Sequence, residues 1–188
     1  MKSVDHLTIE QLEADVWAEP DFNSHLVTTC HQLRKKRLGD FSVEDLRIML
    51  GQSIGAKYLL PKAIEILREN PFAEGDFFEG DLLVAIARHP RNATQLAPED
   101  ARHLLAASVA AVESVDPKLR RKDLSAVQGM VDALSSHVRR QSGLEADIHN
   151  SGGSNDQSWR RHRLLQALRR WPHVQWRTWR SLRKGQGR

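Results

Sequence analysis

Apolar residues recur every three or four positions along much of the chain, which is the spacing of an amphipathic helix. Residues with capping chemistry precede several of these segments. Thr8 and Gln11 have the spacing of a capping box, and Ser42 marks a second helix start. Pro98 marks a third, because proline is favoured at the first helical position. Because no segment shows convincing strand-like alternation, the pattern predicts an all-α fold with short loops.

Capping and helix-breaking residues predict two further helix boundaries in the middle of the chain. Asp81 is expected to cap a helix over residues 82–88, since its carboxylate can accept from the first backbone N–H groups. Pro61 is tolerable only in the first turn of a helix. A helix is therefore predicted over residues 58–67.

The composition changes in the last quarter of the chain. Residues 151–156 are rich in Gly and Ser and are typical of a linker. Residues 159–188 contain four of the five tryptophans, ten of the 28 Lys/Arg and none of the 24 Asp/Glu. We predict a single compact helical domain over residues 1–140, a linker over 141–158 and a disordered or irregular Arg/Trp-rich tail over 159–188.

The formal net charge of +4 hides two opposite regions. The first 158 residues contain 18 Lys/Arg against all 24 Asp/Glu, a formal charge of about −6, whereas the tail is at about +10. An acidic body favours a basic partner, and a basic tail favours an acidic one.

The apolar content and the single cysteine indicate the compartment. No stretch approaches the roughly 20 apolar residues that span a membrane, and residues 1–12 lack the basic start and apolar run of a secretory signal. Cys30 has no second cysteine to pair with, which agrees with a reducing cytosol. We expect a cytoplasmic protein without a membrane span.

Several segments of the first half resemble the immunity proteins of bacterial contact-dependent growth inhibition systems. The likeness lies in the Cys-His-Gln-Leu-Arg-Lys-Lys run that begins at Cys30, in residues 41–55 and in residues 70–83. Residues 7–17, with Leu26 and Val27, also look like the family. Arg37 stands where many relatives have proline. From about residue 91 onward the sequence is generic helix, and the tail does not look native to the family.

The resemblance implies a mainly helical cytoplasmic protein that is not an enzyme. Its partner would be the cognate toxin, the C-terminal domain of a surface-delivered effector and often a nuclease. The immunity protein would bind this domain tightly and neutralise it by occluding its active site or substrate surface. No cofactor and no small-molecule substrate are implied.

Residues 51–55 match the G-x-S-x-G pattern of serine hydrolases. That chemistry needs a strand, a sharp turn and a helix to expose the serine beside a base. The segment before Ser53 has helical periodicity, and the family likeness often places asparagine at this position. We therefore interpret the glycines as a helix end at which two helices approach closely.

Cys30 and His31 are adjacent, but a zinc site needs about four ligands at recognised spacings. No second cysteine is present and the remaining histidines are scattered. Metal binding is not expected, and Cys30 is interpreted as a buried residue on an apolar helix face.

An acidic and aromatic segment between two predicted helices is the candidate toxin-binding site. Carboxylates here would meet the Lys/Arg that a nuclease uses on phosphates, and the aromatic side chains would serve as anchors. The candidate residues are Glu74, Asp76, Phe77, Phe78, Glu79 and Asp81. Alternatively, both phenylalanines belong to the core and the acids cap the next helix. At least one phenylalanine is expected to be buried in either case.

A second acidic region fits a solvated helix face. It consists of Glu10, Glu13, Asp15, Glu19 and Asp21.

The tail permits three interpretations. Interleaved Arg and Trp bind single-stranded nucleic acid through phosphates and stacking, which gives an alternative function as a nucleic-acid-binding accessory protein. A helix at an anionic membrane surface is a second interpretation, with one face formed by Leu164, Leu165, Leu168 and Trp171. The abrupt change of composition after a linker favours a third interpretation, an unselected or frameshifted extension.

Overall fold

The computed structural model describes residues 4–20, 24–114 and 119–141. Within these ranges the chain forms eight α-helices and no β-strand, which confirms the predicted all-α fold. One isolated bridge pairs Thr8 with Arg37. The helices are α1 (Ile9–Glu13), α2 (His25–Arg34), α3 (Val43–Gly51), α4 (Ala56–Glu69), α5 (Asp81–Ala87), α6 (Pro90–Ala93), α7 (Pro98–Val112) and α8 (Arg121–Gln141).

Capping boxes begin α1 and α3. The Thr8 hydroxyl accepts from the Gln11 N–H at 3.3 Å, and the Gln11 side chain accepts from the Thr8 N–H at 2.9 Å. At α3, Asp45 accepts from the Ser42 N–H at 2.8 Å. Each box satisfies N–H groups that have no partner inside the helix. The sequence predicted the box at Thr8 and, at Ser42, a helix start.

Two predicted boundaries in the middle of the chain are wrong. Gly80, with φ +85°, is the N-cap of α5, and the buried Asp81 is its first helical residue. Asp81 turns its carboxylate toward the preceding loop, so it does not cap the helix. Helix α4 begins at Ala56, which places Pro61 inside the helix and beyond its first turn. Pro61 is exposed, so water can replace the backbone hydrogen bond that proline cannot donate.

The core is built around α5, whose seven residues are all buried. Helices α3 and α8 both pack against α5, while α7 packs against α4 and α8. Burial on every side explains why α5 is almost continuously apolar and shows no amphipathic period. None of the helices within the described residues is long and apolar enough to cross a membrane.

All described residues belong to one compact unit, Met1–Glu145. The predicted linker, apart from Gln141, and the whole predicted tail lie outside the described residues.

Candidate functional site

The acidic and aromatic segment forms a loop between α4 and α5, and we call residues 74–80 the acidic loop. Its base is closed by the Gly80 N–H, which donates to the Phe72 carbonyl oxygen at 3.1 Å. Pro71, Phe72 and Ala73 before it are buried, and so is Asp81 after it. The acidic loop therefore projects from the core between two buried ends.

Two carboxylates bind the backbone of the acidic loop from beneath. Asp81 accepts from the Gly75 N–H at 2.7 Å and from the Phe77 N–H at 3.1 Å. Glu44, in the first turn of α3, accepts from the Asp76 N–H at 2.9 Å. Three successive backbone donors thus point inward, which fixes the loop in one conformation.

Arg47 positions the Glu44 carboxylate. Its Nε and one terminal nitrogen donate to the two Glu44 oxygens at 2.6 and 2.5 Å, a bidentate pair. The Arg47 Nε also lies 3.7 Å from Asp81 Oδ2. The hydrogen bond from Arg47 holds the pKa of Glu44 below its usual value, and Glu44 in turn raises the pKa of Arg47.

Gly75 sits where no other residue fits without movement. A Cβ atom there would collide with the Glu44 carboxylate and would lie 3.1 Å from both Arg47 Cδ and Asp81 Oδ2. Glycine therefore permits this close approach of backbone to carboxylates, and a side chain here would have to displace the Glu44 carboxylate.

The two phenylalanines of the acidic loop have different environments. Phe77 is 70% exposed, and the Arg47 guanidinium carbon lies 4.4 Å from the centre of its ring. Phe78 is half-buried, with the Arg120 guanidinium carbon 5.0 Å from its ring centre. Arg120 donates to the buried Asp123 at 2.8 Å. Each ring is thus covered by an arginine that a carboxylate holds in place.

The structure separates the predicted toxin-binding residues by exposure. Glu74, Asp76, Phe77 and Glu79 are exposed, Phe78 is half-buried and Asp81 is 4% exposed beneath the loop. Neither phenylalanine is in the core, so the expectation that at least one is buried is wrong. The nearby buried aromatic residue is Phe72.

Sequence reasoning missed Glu44, Arg47 and Arg120. Glu44 and Arg47 are three residues apart on α3, a spacing that ordinary exposed helix pairs also have. Nothing local in the sequence shows that this pair lies beneath a loop some thirty residues later.

The second acidic region is solvated, but it is not a single helix face. Glu13, Asp15 and Glu19 are exposed, and Asp15 and Glu19 lie beyond the end of α1. Glu13 and Asp15 both pair with Arg34, which is 1% exposed, and the Arg34 guanidinium carbon lies 4.1 Å from the Trp17 ring centre. Glu19 pairs with Lys35 at 3.4 Å. These exposed acids thus lie beside bases at the end of α2. Asp21 lies outside the described residues.

Ser53 lies in the turn between α3 and α4, so a helix precedes it in place of a strand. Its φ of +59° is left-handed, a conformation that asparagine tolerates better than serine. The Asn92 amide donates to its hydroxyl at 2.7 Å. Gly55 permits the helix approach, since a Cβ there would lie 2.6 Å from Ile9 Cδ1.

In the part of the chain that the structure describes, no group of three His, Cys, Asp or Glu side chains is placed to hold a metal ion. Cys30 is buried, and burial raises the pKa of its thiol.

Comparison with known proteins gives one family match. The family model of the contact-dependent growth inhibition (CDI) immunity proteins matches residues 11–104, half of the chain. This range includes α2–α6, the acidic loop and both residues beneath it on α3. No curated protein and no solved structure gives a match. The chain therefore belongs to the family of CDI immunity proteins, and this membership implies a toxin-neutralising immunity function.

Proposed function

We propose that the protein is a stoichiometric, non-enzymatic inhibitor that binds the toxic C-terminal domain of its cognate effector in the cytoplasm. The acidic loop would cover the active site or the substrate groove of a nuclease toxin, and no cofactor would take part. The observation that supports this most directly is a fixed, outward-facing loop with exposed carboxylates and an exposed aromatic ring in a member of an immunity family.

Charge complementarity supports a nuclease as the target. A nuclease must attract phosphates, so its substrate surface is rich in Lys and Arg. Glu74, Asp76 and Glu79 are exposed on one loop, and the first 158 residues have an excess of acids. Opposite potentials raise the association rate and select the partner.

Charge reversal at two loop positions tests this proposal. Asp76→Lys together with Glu79→Lys should slow association with the toxin domain by at least about tenfold at low salt. Association rates are measured across a range of salt concentrations, alongside protection of toxin-expressing cells. The matched control reverses two exposed acids elsewhere, Glu65 and Glu113, and has the same net charge. Equal rates for the folded loop variant and the control would remove the acidic loop from the interface.

The composition of the tail supports a second candidate function, an accessory protein that binds nucleic acid. Ten basic residues without an acid, interleaved with four tryptophans, suit phosphate contacts and base stacking. Such binding would depend strongly on salt and on residues 159–188.

A further inference from the structure

Phe77 differs from the other exposed apolar residues. Within the described ranges, the large apolar side chains that are exposed are Val4, Val16, Leu26 and Phe77. Phe77 is the aromatic member of this set and lies among the carboxylates of the acidic loop. At 70% exposure, most of the Phe77 ring is in contact with water and not with apolar side chains. Aromatic rings frequently dominate the binding energy of interfaces.

The backbone beneath Phe77 is already ordered. The N–H groups of Gly75, Asp76 and Phe77 are each bound by a carboxylate from Glu44 or Asp81. A loop held in this way loses little conformational entropy when a partner binds. The arrangement therefore suits an anchor that keeps its position in the free protein.

Arg47 connects the anchor to this support. One guanidinium group binds Glu44 at two points, lies near Asp81 and covers one face of the Phe77 ring. Arginine is suited to this double role because its planar group makes bidentate hydrogen bonds and stacks on an aromatic face at the same time. Lysine cannot make bidentate hydrogen bonds and stack on an aromatic face at the same time.

We propose that Phe77 is the anchor that enters an apolar pocket of the toxin, and that Arg47 is the positioning residue that holds it ready. This inference rests on the proposed function and deepens it. The pocket would be bordered by Lys and Arg, because the exposed Glu74, Asp76 and Glu79 flank the anchor along the same loop. The partner surface is thus an apolar depression with a basic rim.

The proposal has a kinetic signature that separates the anchor from the rim. Rim charges act mainly on association and its salt dependence, whereas a buried anchor acts on dissociation. Phe77→Ala should raise the dissociation rate by at least about 30-fold and leave the salt dependence of association unchanged. Phe77→Tyr keeps the aromatic ring, so this variant should dissociate from the toxin about as slowly as the unaltered protein. Leu26→Ala, at another exposed apolar residue, is the control.

Arg47 is tested in the free protein as well as in the complex. Arg47→Lys should speed amide hydrogen exchange at Gly75, Asp76 and Phe77, and should raise the toxin dissociation rate by about tenfold. Arg68→Lys makes the same chemical change at an exposed site on α4 and should alter neither measurement.

The outcomes distinguish this inference from the proposed function. If the unaltered protein neither binds the toxin domain nor protects cells, the immunity function itself is wrong. If the unaltered protein binds but Phe77→Ala dissociates at the same rate, only the anchor is refuted. If Arg47→Lys speeds amide exchange in the acidic loop without changing dissociation, Arg47 supports the fold and does not position the anchor.

Discussion

Glu44 and Asp45 are neighbours in the first turn of α3, yet they stabilise different parts of the molecule. Successive helical residues point about 100° apart, so adjacent side chains contact different neighbours. Glu44 binds the acidic loop, whereas Asp45 completes the capping box and pairs with Lys36 at 2.6 Å. Burial raises the pKa of Asp45, but hydrogen bonds from Lys36 and Ser42 outweigh it, so both carboxyls have pKa values below the usual range.

The lowered pKa of Glu44 predicts a loss of stability in acid. A carboxyl whose native pKa is depressed stabilises the fold fully above its unfolded pKa of about 4.3, and this contribution disappears as the pH falls through the lower native value. Glu44→Gln should lower the free energy of unfolding by about 1–2 kcal/mol near neutral pH. The deficit should shrink as the pH falls toward about 3.

Urea denaturation across this pH range measures the effect. Glu65→Gln, at an exposed position on α4, is the control and should show little difference at any pH. A deficit for Glu44→Gln that stays constant with pH would contradict the assignment of the lowered pKa to the native carboxylate.

At the scale of residues, local chemistry was predictable and distant pairing was not. The capping boxes of Thr8 and Ser42 depend on partners three residues away, which the sequence displays directly. Asp81 was expected to cap α5, while its contact with the toxin stays a prediction. Its actual partners are backbone N–H groups four and six residues earlier, in a loop whose path the sequence does not specify.

At the scale of elements, the amphipathic period of the sequence predicted helices that have one solvent-exposed face. It placed α3 and α8 because each presents one side to the core and the other to water, whereas α7 was placed by Pro98 at its first position. It is uninformative for α5, which is buried on all sides and was placed by its flanking turn residues. Pro61 misled the prediction for α4 because its exposure, which makes a proline inside the helix tolerable, depends on the tertiary fold.

Gly129 is an element-scale test of helix propensity. It lies in the middle of α8 on the exposed face, and no atom apart from its chain neighbours and the adjacent backbone of α8 lies within 4 Å of the Cβ that alanine would add. Gly129→Ala should therefore raise the free energy of unfolding by about 1 kcal/mol and the melting temperature by about 2–4 °C. Both are measured by denaturation followed by circular dichroism.

Gly75→Ala is the matched control with the opposite sign. The added methyl group would collide with Glu44, so this variant should be less stable than the unaltered protein. A Gly129→Ala variant that is no more stable than the unaltered protein would show that the exposed face of α8 has a requirement for glycine beyond helix propensity.

At the scale of the whole molecule, the uneven charge is the property that the sequence displays most clearly. Acids exceed bases in the first 158 residues and are absent from the last 30. The structure adds that two groups of exposed acids in the first half lie in different places. Glu13, Asp15 and Glu19 lie beside bases of α2 or just beyond it, whereas Glu74, Asp76 and Glu79 belong to the acidic loop. Composition alone does not separate these groups, because the separation depends on the folded path of the chain.

The division of the chain into a binding domain and a dispensable tail remains a prediction, and truncation tests it. A chain of residues 1–158 should protect toxin-expressing cells as well as the full chain, because the proposed interface lies in residues 74–79. The same truncation should abolish any binding to single-stranded RNA, since it removes ten basic residues and four tryptophans. Protection is scored by growth and RNA binding by titration at several salt concentrations. A soluble truncated protein that fails to protect, when the full chain succeeds, would place the tail within the inhibitor. Equal protection combined with lost RNA binding would make the two activities separable, and residues 1–158 would then be sufficient for immunity without the tail.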